Sequence, residues 1–236
     1  MLKKLLSNPF PKVIYKTTSS FSGEIRVVQK GCERQLVVGG FVQSVNWDCP
    51  GVEKRVWGQI AENVKVQTCL SARQGSKLKS MPNVKVLVLG MGAGTEIHLL
   101  SGKYPGAQVT AVEVDPVIVK VAKDYFGVGK VPNLKIVVED AFEYVEKTSQ
   151  EFDTVICDFY AGGSYPKEAD SDEFLTKVSK ISKRVIFNRI FDSVKSPPAQ
   201  EFEARLGHYF PRVKIVPVKH NALNILYVCA TLEDKS

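Results

Sequence analysis

VKVLVLGMGAGTE, running from Val84 to Glu96, is the stretch that decides how the rest of the chain is arranged. Its first six residues are apolar except for Lys85, a composition that suits a strand buried on both faces. Gly90, Gly92 and Gly94 follow at alternate positions. Glycines let the backbone turn tightly, so Thr95 to Lys103 can begin a helix whose free N–H groups face whatever lies above the strand end. The pattern predicts a nucleotide cradle.

Two more strand ends carry acids. AQVTAVEVDP ends in Glu113 and Asp115, with Glu113 nineteen residues after Gly94. An acid at about 20 residues past a glycine turn is where Rossmann-type sites grip a ribose diol, because a carboxylate accepts from both hydroxyls. NLKIVVEDA ends in Glu139 and Asp140. In an open parallel sheet such ends line one crevice, so glycines, acid and acid in register point to nucleoside binding. The dinucleotide fingerprint needs G-x-G-x-x-G, whereas this turn reads G-x-G-x-G followed by Thr95, which argues against NAD. A triphosphate P-loop motif does not occur. The pattern fits an uncharged adenosine carrying a sulfonium tail.

The chain has 236 residues, 44% hydrophobic and 24% charged, ordinary for a globular protein with one large core and an appendage. No apolar run approaches the roughly 20 residues of a membrane span. The start MLKKLLSNPFPK is too short in its apolar part for a signal peptide, and a cytoplasmic location is expected. Five cysteines (Cys32, Cys49, Cys69, Cys157 and Cys229) form no C-x-x-C pair and read as free thiols. His98, His208 and His220 show no ligand spacing, so no metal site is expected. The net charge of +7 is spread over many segments and reads first as a solvated basic surface; it leaves room for an anionic partner.

Upstream, Phe21 to Val45 reads as short antiparallel strands: EIRVVQ, a turn at Lys30 to Glu33, then RQLVVGGFVQSV with a second turn at Gly39-Gly40. The segment is too small for its own core, so it packs on the main body or pairs with a second copy. VEKRVWGQIAENV places Val52, Val56, Trp57, Ile60 and Val64 on one face of a helix of about 14 residues, with Trp57 in the core. Arg73 to Pro82 reads as a surface linker. Downstream come helices Pro116 to Tyr125 and Ala141 to Lys147, then the strand FDTVICD ending in Asp158 and the loop FYAGGSYP. A helix near Ser171 to Ser179, the strand RVIFN, a helix near Ala199 to His208, and the strands RVKIVPV and NALNILYVCA complete the chain. The expectation is an α/β fold: a seven-stranded, doubly wound Rossmann-like sheet with an antiparallel last strand, plus a small N-terminal β-domain. Its parts would be an N-terminal β-appendage (1–50), a connecting helix and linker (51–82) and a Rossmann-like domain (83–236) that would bind the sulfonium-tailed nucleoside.

From EIRVV, LVVGGFVQS, VLVLGMGAGTE, AVEVDP, VVEDAFEYV and FDTVICD to the closing strands, the chain resembles the spermidine synthase-like branch of the class I S-adenosylmethionine-dependent methyltransferase superfamily. The resemblance implies a small-molecule acceptor and often a homodimer. It implies Glu113 as the ribose ligand and Asp140 as the acceptor for the adenine amino group, with Gly90, Gly92 and Gly94 under the amino-acid tail. The expected cofactor contacts are therefore Gly90, Gly92, Ala93, Gly94, Glu113, Asp115, Asp140 and Ala141. Asp158 falls where aminopropyltransferases keep the aspartate that orients and deprotonates the attacking amine. Gln43 matches a glutamine on the acceptor side, and Tyr160 and Tyr165 are candidates to wall the acceptor pocket by cation–π contact.

Departures from the family pattern bear on the reaction. Spermidine synthases carry an aspartate in the turn that holds the aminopropyl ammonium of decarboxylated S-adenosylmethionine; here that position is Ala93. Their second carboxylate for the diamine is replaced by Ala161, and a tyrosine nine residues past the Gln43 position by Val52. An aspartate at position 93 would repel the carboxylate of intact S-adenosylmethionine by on the order of 4 kcal/mol at about 4 Å and an effective dielectric near 20. The expectation is S-adenosylmethionine over its decarboxylated form, and methyl transfer to an acceptor such as an amine. Aminopropyl transfer is the alternative, and a non-catalytic nucleoside-binding or scaffold protein the second.

Overall fold

The computed structural model describes residues 10–64, 84–160, 163–220, 223–232 and 234. The expected linker at 73–82, Cys69 and Ala161 lie outside these residues. The first described elements are four antiparallel strands in sequential order: β1 (Lys12–Ser19), β2 (Gly23–Lys30), β3 (Glu33–Val38) and β4 (Phe41–Val45). The hairpin turns at Gly31 and Gly39-Gly40 fall where the sequence puts them. Strand β1 was not expected. KVIYKTTS lies at the sheet edge with five of its eight residues exposed, and it lacks the apolar alternation that marks a strand.

The helix expected over 52–64 is shorter than its periodicity suggests. A 3-10 turn, Val52–Lys54, is separated by the extended Arg55 from α1 (Val56–Asn63). Val52, Val56, Trp57, Ile60 and Val64 are nonetheless all buried, because the break preserves the face they share.

The large sheet runs through β5 (Lys85–Leu89), α2 (Thr95–Lys103), β6 (Gln108–Glu113), α3 (Pro116–Phe126), β7 (Leu134–Val138), α4 (Ala141–Lys147) and β8 (Phe152–Cys157). It continues with α5 (Asp172–Lys180), β9 (Ser182–Ile190), α6 (Pro197–Leu206), β10 (Arg212–Lys219) and β11 (Leu223–Ala230). The strand order is β10-β11-β9-β8-β5-β6-β7. β5 to β9 pair in parallel, and β11 runs antiparallel between β9 and β10. The chain-terminal strand is thus tucked inside the sheet and β10 forms the edge.

Alternation along β5 sorts the two faces. Val86 and Val88 pack with Trp57 and Ile60 of α1, Ile97 and Leu100 of α2, and Val119 of α3. Leu87 and Leu89 pack with Val145 of α4, Phe174 and Leu175 of α5, and Phe202 of α6. This period-two division builds a three-layer core around a strand buried on both sides. No described helix is long and apolar enough to cross a membrane.

The chain runs outward from β5 through β6 to β7 and then crosses back to β8 on the other side of β5, so a crevice opens at the carboxyl ends of β5 and β8. There the Gly90 N–H donates to Val112 and the Asp158 N–H to Leu89. Gly90 has φ +88°, and a Cβ on it would sit 2.5 Å from the Asp158 carbonyl oxygen. Gly127, just past α3, has φ +73° with nothing near its would-be Cβ. Gly90→Ala is therefore expected to lose roughly 2–4 kcal/mol of stability, from left-handed strain plus displacement of the β8 end. Gly127→Ala should lose only about 1 kcal/mol. Denaturant midpoints of the two variants measure the difference; equal losses would remove the close β5–β8 approach from the explanation.

Candidate active site

Glu113 organises the floor of the crevice. It is 8% exposed, and one carboxylate oxygen accepts from the N–H groups of Met91 and Gly92, both at 3.2 Å, while the other accepts from Asp115 N–H at 3.1 Å. Burial pushes the carboxyl up, and these backbone donors partly offset the push. Asp140 caps α4 by accepting from Phe142 N–H at 2.8 Å and Glu143 N–H at 3.1 Å. Gly90, Gly92, Glu113, Asp140 and Ala141 line one cavity of about 310 Å³.

The other expected cofactor contacts lie behind this lining. Asp115 is fully buried and caps α3 through a 2.8 Å bond from Val117 N–H. Gly94 starts α2. Ala93 turns its methyl into an apolar cluster with Ile25, Leu36, Val38, Ile118 and Phe126. The argument that residue 93 sets the charge beside the ligand tail therefore meets a correction: this side chain packs between the N-terminal sheet and α3, and is not among the cavity-lining residues.

The N-terminal sheet roofs the cavity through Val38, Gln43 and Ser44. Ser44 Oγ accepts from Ala93 N–H at 3.0 Å. Val45 N–H donates to Thr95 Oγ1 at 3.2 Å, and that hydroxyl donates to Val45 O at 2.5 Å. Arg34 donates to Tyr125 O at 2.6 Å. These bonds dock β3 and β4 onto α2 and α3.

A second cavity of about 430 Å³ lies alongside, and Gln43, Asp158 and Tyr160 line both. Asp158 thus stands in the wall between the two chambers. Enclosure by protein pushes its carboxyl up to about 6, against the lowering effect of the Asn188 amide, which donates to it at 2.7 Å. Tyr160 donates to the Asn188 carbonyl at 3.1 Å. Tyr165 lines neither chamber; its ring lies 3.8 Å from the Arg189 guanidinium and packs on Phe159 and Tyr160, so it supports the wall from behind.

In the second chamber Glu33 pairs with Arg55 at 2.5 Å. Burial pushes the Glu33 carboxyl up, but hydrogen bonds from Arg55 and Gln35 outweigh it and hold the group below its usual range. Phe41, Val42 and Ile190 are exposed at the mouth, and Trp57, His220 and Asn224 complete the wall. Trp57 is thus both core, as expected, and chamber wall.

Glu96 is the residue that sequence reasoning missed. It is 1% exposed, lies in the first turn of α2, lines the first cavity, and has one carboxyl oxygen with no hydrogen-bond partner. Its signal in the sequence was an acid placed directly before core Ile97, where an apolar residue would ordinarily sit. Burial and then the nearby Asp158 charge push its carboxyl well up; its own N–H restrains it, and Glu113 adds a smaller push. The Asn188 amide thus favours charge on Asp158, while burial and that charge disfavour it on Glu96.

A doubly wound sheet with its acids gathered at the switch point is a Rossmann-like fold whose crevice lies where such sheets take their ligands. Residues 74–189 match the family model of the Spermine/spermidine synthase domain. That match, just under half of the chain, is a likeness to the spermidine synthase-like branch of the class I S-adenosylmethionine-dependent methyltransferase superfamily, in line with the sequence motifs. It is 37% identical over 76 residues to an eEF1A lysine and N-terminal methyltransferase homolog of Drosophila melanogaster, a match covering 31% of this chain and 11% of that protein. It is 27% identical over 116 residues to a polyamine aminopropyltransferase of Vibrio vulnificus, covering 47% of this chain and 39% of that one. The matches thus span well under half the length of either relative. Among solved structures, a spermidine synthase in complex with the transition state analogue AdoDATO shares the fold with a TM-score of 0.69 at 19% identity, covering 94% of this chain and 75% of that one. Human methyltransferase-like protein 13 in complex with SAH gives 0.57 at 21% identity, covering 66% and 75%.

The Asp158 carboxyl, followed by carbon-detected NMR, is expected to titrate near 6. Asn188→Ala removes a hydrogen bond that favours the charged form, so the midpoint should move further up. An unmoved midpoint would show that the amide does not hold this charge.

Proposed function

We propose that the chain is an S-adenosylmethionine-dependent methyltransferase acting on an amine. The observation that carries this reading is the charge of the first cavity. Glu96, Glu113, Asp140 and Asp158 line it, and no Lys or Arg does among the described residues. Such a lining disfavours the pyrophosphate of a dinucleotide and suits a ligand that brings positive charge. The cavity volume of about 310 Å³ is adequate for one nucleoside with a short tail. Glu113 and Asp140 would hold the ribose and adenine. When bound, S-adenosylmethionine supplies a sulfonium-activated methyl group.

Asp158 would hold the acceptor nitrogen at the junction of the chambers and take its proton, an ionised carboxylate being required for both tasks. Gln43 and Tyr160, which border both chambers, would position the same nitrogen. The second chamber offers little to a polyamine. Among its described residues Glu33 is neutralised by Arg55, which leaves Asp158 as the single unneutralised acid. That balance suits one ammonium rather than two or three. The names of the relatives, lysine and N-terminal methyltransferase among them, agree with an amine acceptor. Aminopropyl transfer is the second reading, favoured by the family model and by the 94% coverage of a spermidine synthase fold.

Incubation with methyl-labelled S-adenosylmethionine and a panel of monoamines and peptide amines, beside decarboxylated S-adenosylmethionine with putrescine, separates the two. Label in an amine product is expected. Spermidine formation instead would overturn methyl transfer. With an acceptor in hand, Asp158→Asn should lower kcat by roughly 100- to 10,000-fold and leave cofactor affinity nearly unchanged. The wild-type kcat/KM should rise with pH through about 6, as the base ionises.

A further inference from the structure

The Glu96 carboxyl has no assigned task in the reading above, yet it is an expensive group to bury. It stands in the first turn of α2, 1% exposed, lines the first cavity, and one of its oxygens finds no donor. A buried acceptor without a partner costs about 1–3 kcal/mol, so such a group in a cavity wall usually waits for a ligand. The rest of the lining narrows down which ligand. Glu113 and Asp140 stand at the ends of the strands that carry the expected nucleoside contacts, and their carboxylates already accept backbone N–H groups. Asp158 lies at the junction with the second chamber and holds the Asn188 amide. Glu96 is left in the wall of the first chamber with one buried oxygen unpartnered.

We propose that Glu96 anchors the cationic amino group at the tail of the bound nucleoside. This inference rests on the cofactor reading and assigns its tail a partner within α2. The titratable groups that face Glu96 are Asp158 at the end of β8 and Glu113 at the end of β6, both acids, and no Lys or Arg lines the cavity among the described residues. In the free protein burial, and then these neighbours, favour the protonated form of Glu96. An incoming ammonium reverses the balance: the carboxyl ionises, its proton leaves to the buffer, and the ammonium keeps its own three protons as it donates to the freed oxygen. The acid is thereby a charge reserve, neutral when the cavity lacks a cation and negative when one arrives.

The test uses two ligands that differ only in the tail. S-adenosylhomocysteine carries the amino-acid tail, methylthioadenosine ends in a methyl group, and both are uncharged thioethers at sulfur. Calorimetric titration of the full chain at pH 7, in two buffers of different ionisation enthalpy, is expected to show more proton release with S-adenosylhomocysteine than with methylthioadenosine. Glu96→Gln should weaken S-adenosylhomocysteine by roughly 10- to 100-fold, the range of a charge-assisted hydrogen bond, and leave methylthioadenosine within about twofold. Retained methylthioadenosine binding also certifies that the variant is folded. Equal affinity of the variant and the wild type for S-adenosylhomocysteine would overturn the assignment and leave the cofactor reading standing. If the variant binds neither ligand, the wild-type proton counts decide: equal counts for the two ligands overturn the proposal, and a larger count for the tailed ligand supports it. Failure of the wild type to bind either ligand would remove the cofactor reading, and this inference with it.

Discussion

Everything at the crevice depends on one buried carboxylate. Glu113 sits at the end of β6 and accepts three backbone N–H groups, two from the glycine loop after β5 and one from the entry to α3. Those donors would be orphaned without it, at about 1–3 kcal/mol each. The acid therefore fixes the loop that closes the cavity floor, and the strand order places that loop beside the end of β8. A carboxylate offers about four lone-pair sites, and three are in use. One further donor from the cavity can be accepted without disturbance; a second would require the loop to release one of its own bonds.

The N-terminal sheet is a structural wall as much as an appendage. Its contact with the large sheet is an apolar cluster of Ile25, Val27, Leu36 and Val38 against Ala93, Ile118, Val121 and Phe126. Hydrogen bonds from Ser44 and Val45 to the start of α2 set its angle. β4 then contributes to both chambers at once: Gln43 borders each, Ser44 only the first, Phe41 and Val42 only the second. Sequence-distant residues become neighbours here because small side chains, Ala93 and Ser44 among them, let two backbones approach.

The sheet of the large body was legible because β5, β6, β8 and β9 are apolar runs, the composition of strands buried on both faces. The helix caps were legible for the same kind of local reason: Pro116 opens α3, and Asp140 precedes α4. What escaped was non-local. β1 is an edge strand whose polar residues carry no alternation, and the extended Arg55 interrupts a periodicity that runs unbroken through the sequence. At the site, Glu113, Asp140 and Asp158 were readable as acids at strand ends. Asp115 reads identically in the sequence, yet its side chain turns under α3, a direction that spacing does not encode. Glu96 and Ser44 were missed because one lies within a helix and the other in a separate sheet; only the folded chain brings them to the same cavity.

The local and the net charge of this protein have opposite signs. The sequence carries +7 overall, yet the first cavity is lined by four acids and, among the described residues, no Lys or Arg. Surface charge is screened over roughly 8 Å at physiological ionic strength, whereas groups inside a low-dielectric cavity act on a ligand almost undiminished. A cation in the cavity thus responds mainly to the acids around it and hardly to the basic exterior. The same closeness prevents all four acids from being charged together, since each ionised carboxylate raises the cost of the next. The Asn188 amide stabilises charge on Asp158, whereas Glu96, with an open oxygen and that charge beside it, is pushed toward its protonated form. The division assigns the available negative charge to the junction of the chambers, where an amine would have to lose a proton, and holds the rest in reserve.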